Sequence, residues 1–228
     1  MRIIALILLL VVSGCSVLTR PGPVSRGPLP VISPEDVPLR FTAAVRRMRP
    51  ILAETCKNSN LDLNCEFIIV INPDPKSPPN AFQTVNEAGQ PILGFTMALL
   101  NDMHNADEIA FVIGHEGAHH ILGHLDQQRQ SANGGATLFA VLAAALGGSA
   151  RSVDAATNIG AAVGGRNYSK KYELEADRLG AQMTVKAGFN PVLGADYFMR
   201  IPDPGNKFFG THPRNVDRIA GVRTAIGL

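Results

Sequence analysis

Residues 111–120 read Phe-Val-Ile-Gly-His-Glu-Gly-Ala-His-His and contain the pattern His-Glu-x-x-His. In a helix, positions i and i+4 lie on one face, so His115 and His119 can bind a single zinc ion. Glu116, beside them, can take a proton from a zinc-bound water and deliver it to a leaving amine, as in a metalloprotease. The alternative interpretation is a chance match on a surface helix.

The flanking sequence favours the zinc interpretation. Asn105 is a good helix cap, and Glu108 follows three residues later, just before an apolar run. The run makes the predicted helix apolar over a wide arc, which indicates a largely buried helix: Ile109, Ala110, Val112, Ile113 and Leu122. Buried histidines and a carboxylate need partners, and a metal ion supplies them.

Composition indicates one folded domain of ordinary charge. The chain has 228 residues, with 21 Lys and Arg against 19 Asp and Glu. Such a chain can bury a sizeable core. The near balance of charge gives no sign of a nucleic-acid partner, which would favour a strongly basic surface.

The N-terminus is typical of an exported lipoprotein. Arg2, an apolar run from Ile3 to Val12 and the small residues before Cys15 predict a signal peptide over residues 1–14, which is too short to span a bilayer. Val12-Ser13-Gly14-Cys15 resembles the bacterial lipobox, so Cys15 is the predicted lipidation site. An ordinary signal peptide with an incidental cysteine is the alternative.

A proline-rich segment, residues 15–33, is predicted to be an extended tether between the lipid and a domain over residues 34–228. Ser16 after the lipidated cysteine is compatible, by analogy, with sorting to the inner, periplasmic face of the outer membrane in a Gram-negative cell. Cys56 and Cys65 remain, and an even pair in an exported protein favours a disulfide over free thiols or zinc ligation.

The first half of the domain is predicted to contain a helix and three strands. A helix begins at the Ser33 cap and runs to about Lys57, with a possible break at Pro50. A buried strand covers residues 66–71, and a hairpin joins residues 82–86 to 91–96.

Proline and glycine in the second hairpin strand favour an edge strand there. We therefore expect Ile92, Leu93 and Gly94 to bind an extended polypeptide by strand addition. The predicted fold class is α+β and predominantly helical, with a small antiparallel or mixed sheet whose exposed edge strand lies beside the zinc-binding helix.

Residues 131–165 are rich in alanine and glycine and almost without charge. They predict two short helices, at about 136–146 and 153–163. Small side chains allow either close packing in the core or a mobile cover over the cleft, and the core interpretation is favoured.

A catalytic zinc needs a third protein ligand. In a helix capped by Ser169, Glu173 and Asp177 are four residues apart and share a face, whereas Glu175 points about 200° away from Glu173. This geometry selects Glu173 as the ligand and Asp177 as the acceptor that orients a ligand histidine through its other ring nitrogen. Glu175 is then predicted to be structural.

Several separated motifs together resemble the HtpX-like zinc metallopeptidases of the gluzincin type, in particular their small periplasmic lipoprotein members. The matching residues are His115-Glu116-x-x-His119 with His124, Glu173-x-Glu175-Ala176-Asp177-x-x-Gly180, Thr211-His212-Pro213, Arg218-Ile219 and Asn80-Ala81-Phe82. The resemblance implies that His212 lies in the cleft, where it stabilises the oxyanion or occupies the open position of the zinc. It also implies that Arg218 lies near the same oxyanion intermediate.

These observations predict a lipid-anchored endopeptidase with one Zn²⁺ per chain, which hydrolyses unfolded or misassembled envelope proteins as protein quality control. Its expected partners are polypeptide substrates, the membrane through its lipid and outer-membrane assembly proteins. The alternative from another class is a non-proteolytic chaperone or assembly factor for outer-membrane proteins that uses the same groove. A weaker alternative is a structural lipoprotein whose fourth zinc position is closed by His212.

Overall fold

The computed structural model describes residues 37–167, 169–203 and 213–228, with the side chains of residues 165–169 not included. The predicted signal peptide (1–14), the tether (15–33) and the cap at Ser33 lie outside the described residues. Cys15 and His212 lie outside them as well. In the described part of the chain, no helix is long and apolar enough to cross a membrane.

The first helix, α1 (Val37–Lys57), packs one face on the core. Its buried residues recur every three or four positions, as expected for an amphipathic helix: Phe41, Ala44, Met48, Leu52 and Cys56. The helix continues through Pro50 without a break. Cys56, in its last turn, forms a disulfide with Cys65, the pairing that the sequence predicts.

A three-stranded mixed sheet follows α1 and consists of β1 (Ile68–Asn72), β2 (Ala81–Val85) and β3 (Pro91–Thr96). The strand order is β1-β3-β2, with β3 parallel to β1 and antiparallel to β2. The predicted hairpin of β2 and β3 is confirmed. Its turn is closed by Asn86, whose side-chain oxygen accepts hydrogen bonds from the backbone of Ala88 and Gln90.

The prediction that the second hairpin strand is an edge strand is wrong. β3 is the central strand, and Ile92, Leu93 and Gly94 are paired with β1 on one side and β2 on the other. A substrate therefore cannot add to them. Pro91 is tolerated because it is the first residue of the strand. The glycine at position 94 has a local explanation, because the ring of Phe82 on β2 occupies the space where a Cβ would lie.

The predicted zinc-binding helix is α3 (Ala106–Ile121), which follows the short helix α2 (Met97–Asp102). Asn105 caps α3 as predicted, accepting a hydrogen bond from the backbone of Glu108. The helix is buried over most of its surface, and its apolar residues belong to the main core with α1 and β3. The fold class is confirmed as α+β and predominantly helical.

Helix α6 (Ser169–Lys186) crosses α3 where two glycines meet. A Cβ on Gly180 would lie 2.8 Å from the backbone nitrogen of His115, and one on Gly114 would lie 2.8 Å from the carbonyl oxygen of Gly180. Only glycines allow this approach, and it brings the acids of α6 to the histidines of α3. The C-terminal part consists of α7 (Pro191–Ala195), a 3₁₀ turn (Asp196–Met199) and α8 (Asn215–Ala225).

Between α3 and α6 lies a helical hairpin, formed by α4 (His124–Ala145) and α5 (Ala150–Asn167). Both helices are longer than predicted. They pack mainly against each other and much less against the other elements. Leu138, Leu142 and Leu146 are 64%, 54% and 79% exposed, so the core interpretation of this segment is wrong. The small residues serve the contact within the hairpin, because a Cβ on Gly135 would overlap the backbone of Gly160. The role as a cover over the cleft stays a prediction.

Candidate metal centre

Three predicted ligand side chains converge where α3 and α6 cross. The Nε2 atoms of His115 and His119 lie 3.1 Å apart. The two carboxylate oxygens of Glu173 lie 3.4 Å from Nε2 of His119 and 3.6 Å from Nε2 of His115. This cluster could hold a metal ion, because each residue offers one ligand atom and all three atoms lie within 4.8 Å of one another.

The spacing of these atoms fits zinc. Ligand atoms about 2.0–2.1 Å from a tetrahedral zinc stand about 3.3 Å from one another. The three measured separations, 3.1, 3.4 and 3.6 Å, scatter around this value. Two imidazoles and one carboxylate are also a donor set that zinc takes in catalytic sites, where a fourth position is left for water.

His115 is oriented from behind by Asp177. Its Nδ1 lies 2.9 Å from the Asp177 carboxylate, which is fully buried. This is the contact that the helix geometry of Glu173 and Asp177 predicts. A hydrogen bond at Nδ1 fixes which nitrogen of the ring is left for a metal. Burial alone would raise the pKa of Asp177, but hydrogen bonds from Arg218 and His115 hold that pKa below its ordinary value.

Arg218 on α8 binds the same carboxylate with two nitrogens. Its Nε and one terminal nitrogen each donate to Asp177 at 2.7 Å, and that terminal nitrogen lies 3.5 Å from Glu173. The guanidinium also stacks on the ring of Phe198, 3.8 Å from its centroid. Arg218 is buried and lines the cleft, and it joins the acid that supports His115 to the acid that completes the ligand cluster.

Glu116 stands beside the cluster at the boundary of two cavities. The larger is a cleft of about 660 Å³, and the apolar part of its wall includes Val112, Phe198 and Ile201. The smaller, about 160 Å³, lies on the other side of Glu116, next to Gln83. Burial raises the pKa of the Glu116 carboxyl, whereas the nearby histidines of the cluster lower it, and the net shift is upward. A raised pKa suits a group that must accept and return a proton.

The sheet edge beside these cavities is β2. Asn80 and Ala81 line the larger cleft and Gln83 lines the smaller one, so β2 passes along both. The predicted substrate residues Ile92, Leu93 and Gly94 lie one strand further in.

Sequence reasoning missed two contacts of His124. Its Nδ1 lies 3.0 Å from Nδ1 of His119, and its Nε2 lies 3.3 Å from the carboxylate of Glu175. His124 is buried and stacks on Tyr172. Burial lowers the pKa of His124 to about 3, with His119 as a second cause, so the ring is neutral at physiological pH. The available signal was the spacing of His124, five residues after the predicted ligand.

Arg200, which lines the cleft, forms an ion pair with the buried Glu108 that the sequence did not indicate. Arg200 donates two hydrogen bonds to Glu108, at 2.6 and 2.8 Å, and Glu108 is only 1% exposed. Glu108 also accepts a hydrogen bond from the backbone of His104, which fixes the start of α3. The two partners come from distant parts of the chain, and no local pattern links them.

Comparison with known proteins gives one family. A family model described as Peptidase family M48 matches residues 43–226. A Vibrio cholerae protein described as a beta-barrel assembly-enhancing protease is 28% identical over 205 residues, which cover 80% of this chain and 42% of that protein. Metalloprotease LoiP of Escherichia coli K12 is 30% identical over 130 residues, which cover 54% of this chain and 51% of LoiP. The chain thus spans about half, or less, of the length of the curated relatives that it matches.

Proposed function

The chain belongs to peptidase family M48, and we propose on this premise that it is a zinc-dependent endopeptidase, anchored by lipid at Cys15, that cleaves unfolded or misassembled proteins of the bacterial envelope. The observation that carries the proposal is the cluster of His115, His119 and Glu173, with Glu116 beside it in the lining of a cleft.

His115, His119 and Glu173 would hold the zinc in this proposal. Zinc bound there supplies a Lewis acid that polarises the scissile carbonyl and lowers the pKa of a water to about 7. Glu116 accepts the proton of the attacking water and delivers it to the leaving amine. Asp177, itself held by Arg218, keeps His115 in the tautomer that can bind the metal.

An extended polypeptide would bind along β2 in this proposal. Strand addition needs a sheet edge, and β2 is the edge that borders both cavities around Glu116. The apolar part of the wall of the larger cleft, with Val112 and Phe198, suits side chains that a folded protein would bury. This supports unfolded or misassembled proteins as the substrate class. His212 would act in the same cleft, either on the oxyanion or as an occupant of the open zinc position.

The envelope location is part of the proposal. It is supported by the signal peptide and lipobox pattern, by the disulfide of Cys56 and Cys65, and by the relative named for beta-barrel assembly. We propose the inner face of the outer membrane as the site and outer-membrane assembly proteins as partners. Cys15→Ser should abolish incorporation of labelled fatty acid, whereas Ser16→Ala should keep it. Equal labelling of both variants would refute the lipid anchor.

The catalytic proposal is tested with Glu116→Gln. The variant should keep its zinc, because Glu116 is not a proposed ligand, and should lose casein cleavage by about 10²–10⁴-fold. Glu87→Gln makes the same change in an exposed hairpin turn and should leave the rate unchanged. Cleavage by the parent should also be lost with o-phenanthroline. A Glu116→Gln protein that cleaves at the parental rate would refute the mechanism.

The parent protein and Glu116→Gln also test the alternative, a non-proteolytic assembly factor. In that case the parent would bind zinc and unfolded envelope proteins without cleaving them. Envelope proteins that accumulate in cells with Glu116→Gln, compared with the parent, would identify the natural substrates.

A further inference from the structure

The two ring nitrogens of His119 have different neighbours. Nε2 faces His115 and Glu173, whereas Nδ1 lies 3.0 Å from Nδ1 of His124. A hydrogen bond between two imidazole nitrogens needs one donor and one acceptor. A metal takes the lone pair of Nε2, so the proton of His119 must sit on Nδ1. His119 then donates, and His124 accepts.

Because Nδ1 of His124 accepts this hydrogen bond, the tautomer of His124 is determined. Its own proton must be on Nε2, and that nitrogen lies 3.3 Å from the carboxylate of Glu175, a negative group that stabilises an N–H there. The ring is held in place by stacking on Tyr172, with centroids 4.4 Å apart and an angle of 18° between the planes. It is 3% exposed.

We propose that His124 is a positioning residue, which fixes the tautomer and the orientation of His119 for metal binding, with Glu175 and Tyr172 holding His124 in turn. This inference rests on the proposed zinc site. The two ligand histidines are thereby oriented from opposite sides, His115 by Asp177 and His119 by His124. Removing such a supporting partner typically weakens metal binding by about 10–100-fold.

A purely structural role for His124 predicts a different ranking of variants. His124→Phe keeps a flat ring to stack on Tyr172 but removes both nitrogens. His124→Asn loses the ring but places an amide oxygen close to the position of Nδ1, where it can still accept from His119. If His124 only fills space, Phe is the better substitute. If it positions His119, Asn is the better one.

The experiment measures the zinc dissociation constant of the disulfide-bonded mature protein by competition with a chelator. We expect binding to weaken by about 10–100-fold in His124→Phe and by less than about 10-fold in His124→Asn. The visible spectrum of the Co²⁺-loaded proteins should change in the same order. Parental affinity in a folded His124→Phe protein, or equal loss in both variants, would overturn the proposal.

Glu175→Ala keeps the test decisive if His124→Phe does not fold. Glu175 is partly exposed, so its removal leaves the core intact, and we expect zinc binding to weaken by about 3–10-fold. Glu87→Ala, in the exposed turn, is the matched control. Unchanged affinity in Glu175→Ala would contradict the proposed chain of contacts.

Zinc affinity is measured without substrate, so this proposal and the endopeptidase proposal fail separately. A parent protein that binds zinc but cleaves no polypeptide would refute the endopeptidase and leave the role of His124 standing, provided the variants rank as expected. A parent protein that cleaves casein while His124→Phe keeps full zinc affinity would refute the role of His124 alone.

Discussion

Gly180→Ala should destabilise the protein and weaken its metal site together. The added Cβ would lie 2.8 Å from the backbone nitrogen of His115, and ordinary contact begins at 3.4 Å. Backbone cannot swing aside as a flexible side chain can, so α6 must move away from α3 by about 0.6 Å. A shift of that size would stretch the contact between His115 and Asp177 from 2.9 Å to about 3.5 Å, beyond a good hydrogen bond.

The expected cost follows from three contributions. Overpacking costs about 1–3 kcal/mol, and the loss of a charged hydrogen bond costs about 1.5–3 kcal/mol. Alanine returns about 1 kcal/mol because it favours the helix more than glycine does. The free energy of unfolding should therefore fall by about 1.5–5 kcal/mol, and zinc affinity by about 10–100-fold.

Gly134→Ala is the matched control, since Gly134 lies in α4 and a Cβ there would meet nothing within 4 Å. It should be neutral or stabilising by up to about 1 kcal/mol. Urea unfolding of the metal-free proteins, followed by circular dichroism, should move the midpoint of Gly180→Ala downward by about 1–2 M. The reasoning is refuted if Gly180→Ala moves in the same direction as Gly134→Ala, or if its zinc affinity equals that of the parent.

Three further outcomes are expected. Cys65→Ser should lower the free energy of unfolding by about 2–3 kcal/mol, because the disulfide closes a short loop in the unfolded chain; equal urea midpoints would contradict this. Gly94→Ala should cost about 1–3 kcal/mol by displacing the ring of Phe82, and most of that loss should disappear in a Phe82→Ala background; equal losses in both backgrounds would refute the packing argument. The pKa of Asp177 is held below its ordinary value of 3.8, so its stabilising contribution is present above that pH and is lost as the pH falls through the lower folded-state pKa. The stability difference between the parent and Asp177→Asn should therefore narrow from about pH 5 to pH 2 in urea titrations, and a constant difference would contradict it.

The parts of the site that lie on single helices could be predicted from the sequence. The helical period alone puts His115 and His119 on one face, and it puts Glu173 and Asp177 together on another. The contact between Arg218 and Asp177 could not be worked out this way, because it joins two helices whose crossing is set by packing. The resemblance to a family placed Arg218 near the site, but not on the carboxylate that it binds.

The errors have local causes. Pro91 and Gly94 favour an edge strand on average. The position of β3 in the sheet, however, depends on which other strands pair with it, and the sequence of β3 alone does not determine that. A stretch rich in alanine and glycine, such as residues 131–165, packs closely whether its outer face is buried or exposed. Its composition therefore predicted close packing correctly and burial wrongly.

The start of α4 and the end of α5 lie close together, so the hairpin of α4 and α5 has a narrow base. A Cβ on Gly164 would overlap the backbone of Ser131, so the outgoing and returning chain touch near the base. Residues beyond that contact can be added or removed in pairs of helical turns without changing the distance between the two halves of the metal site. The entropic cost of a longer excursion is also small. Insertions and deletions among related chains should therefore collect at the far end of this hairpin, where evolution can vary the length of the chain and leave its chemistry unchanged.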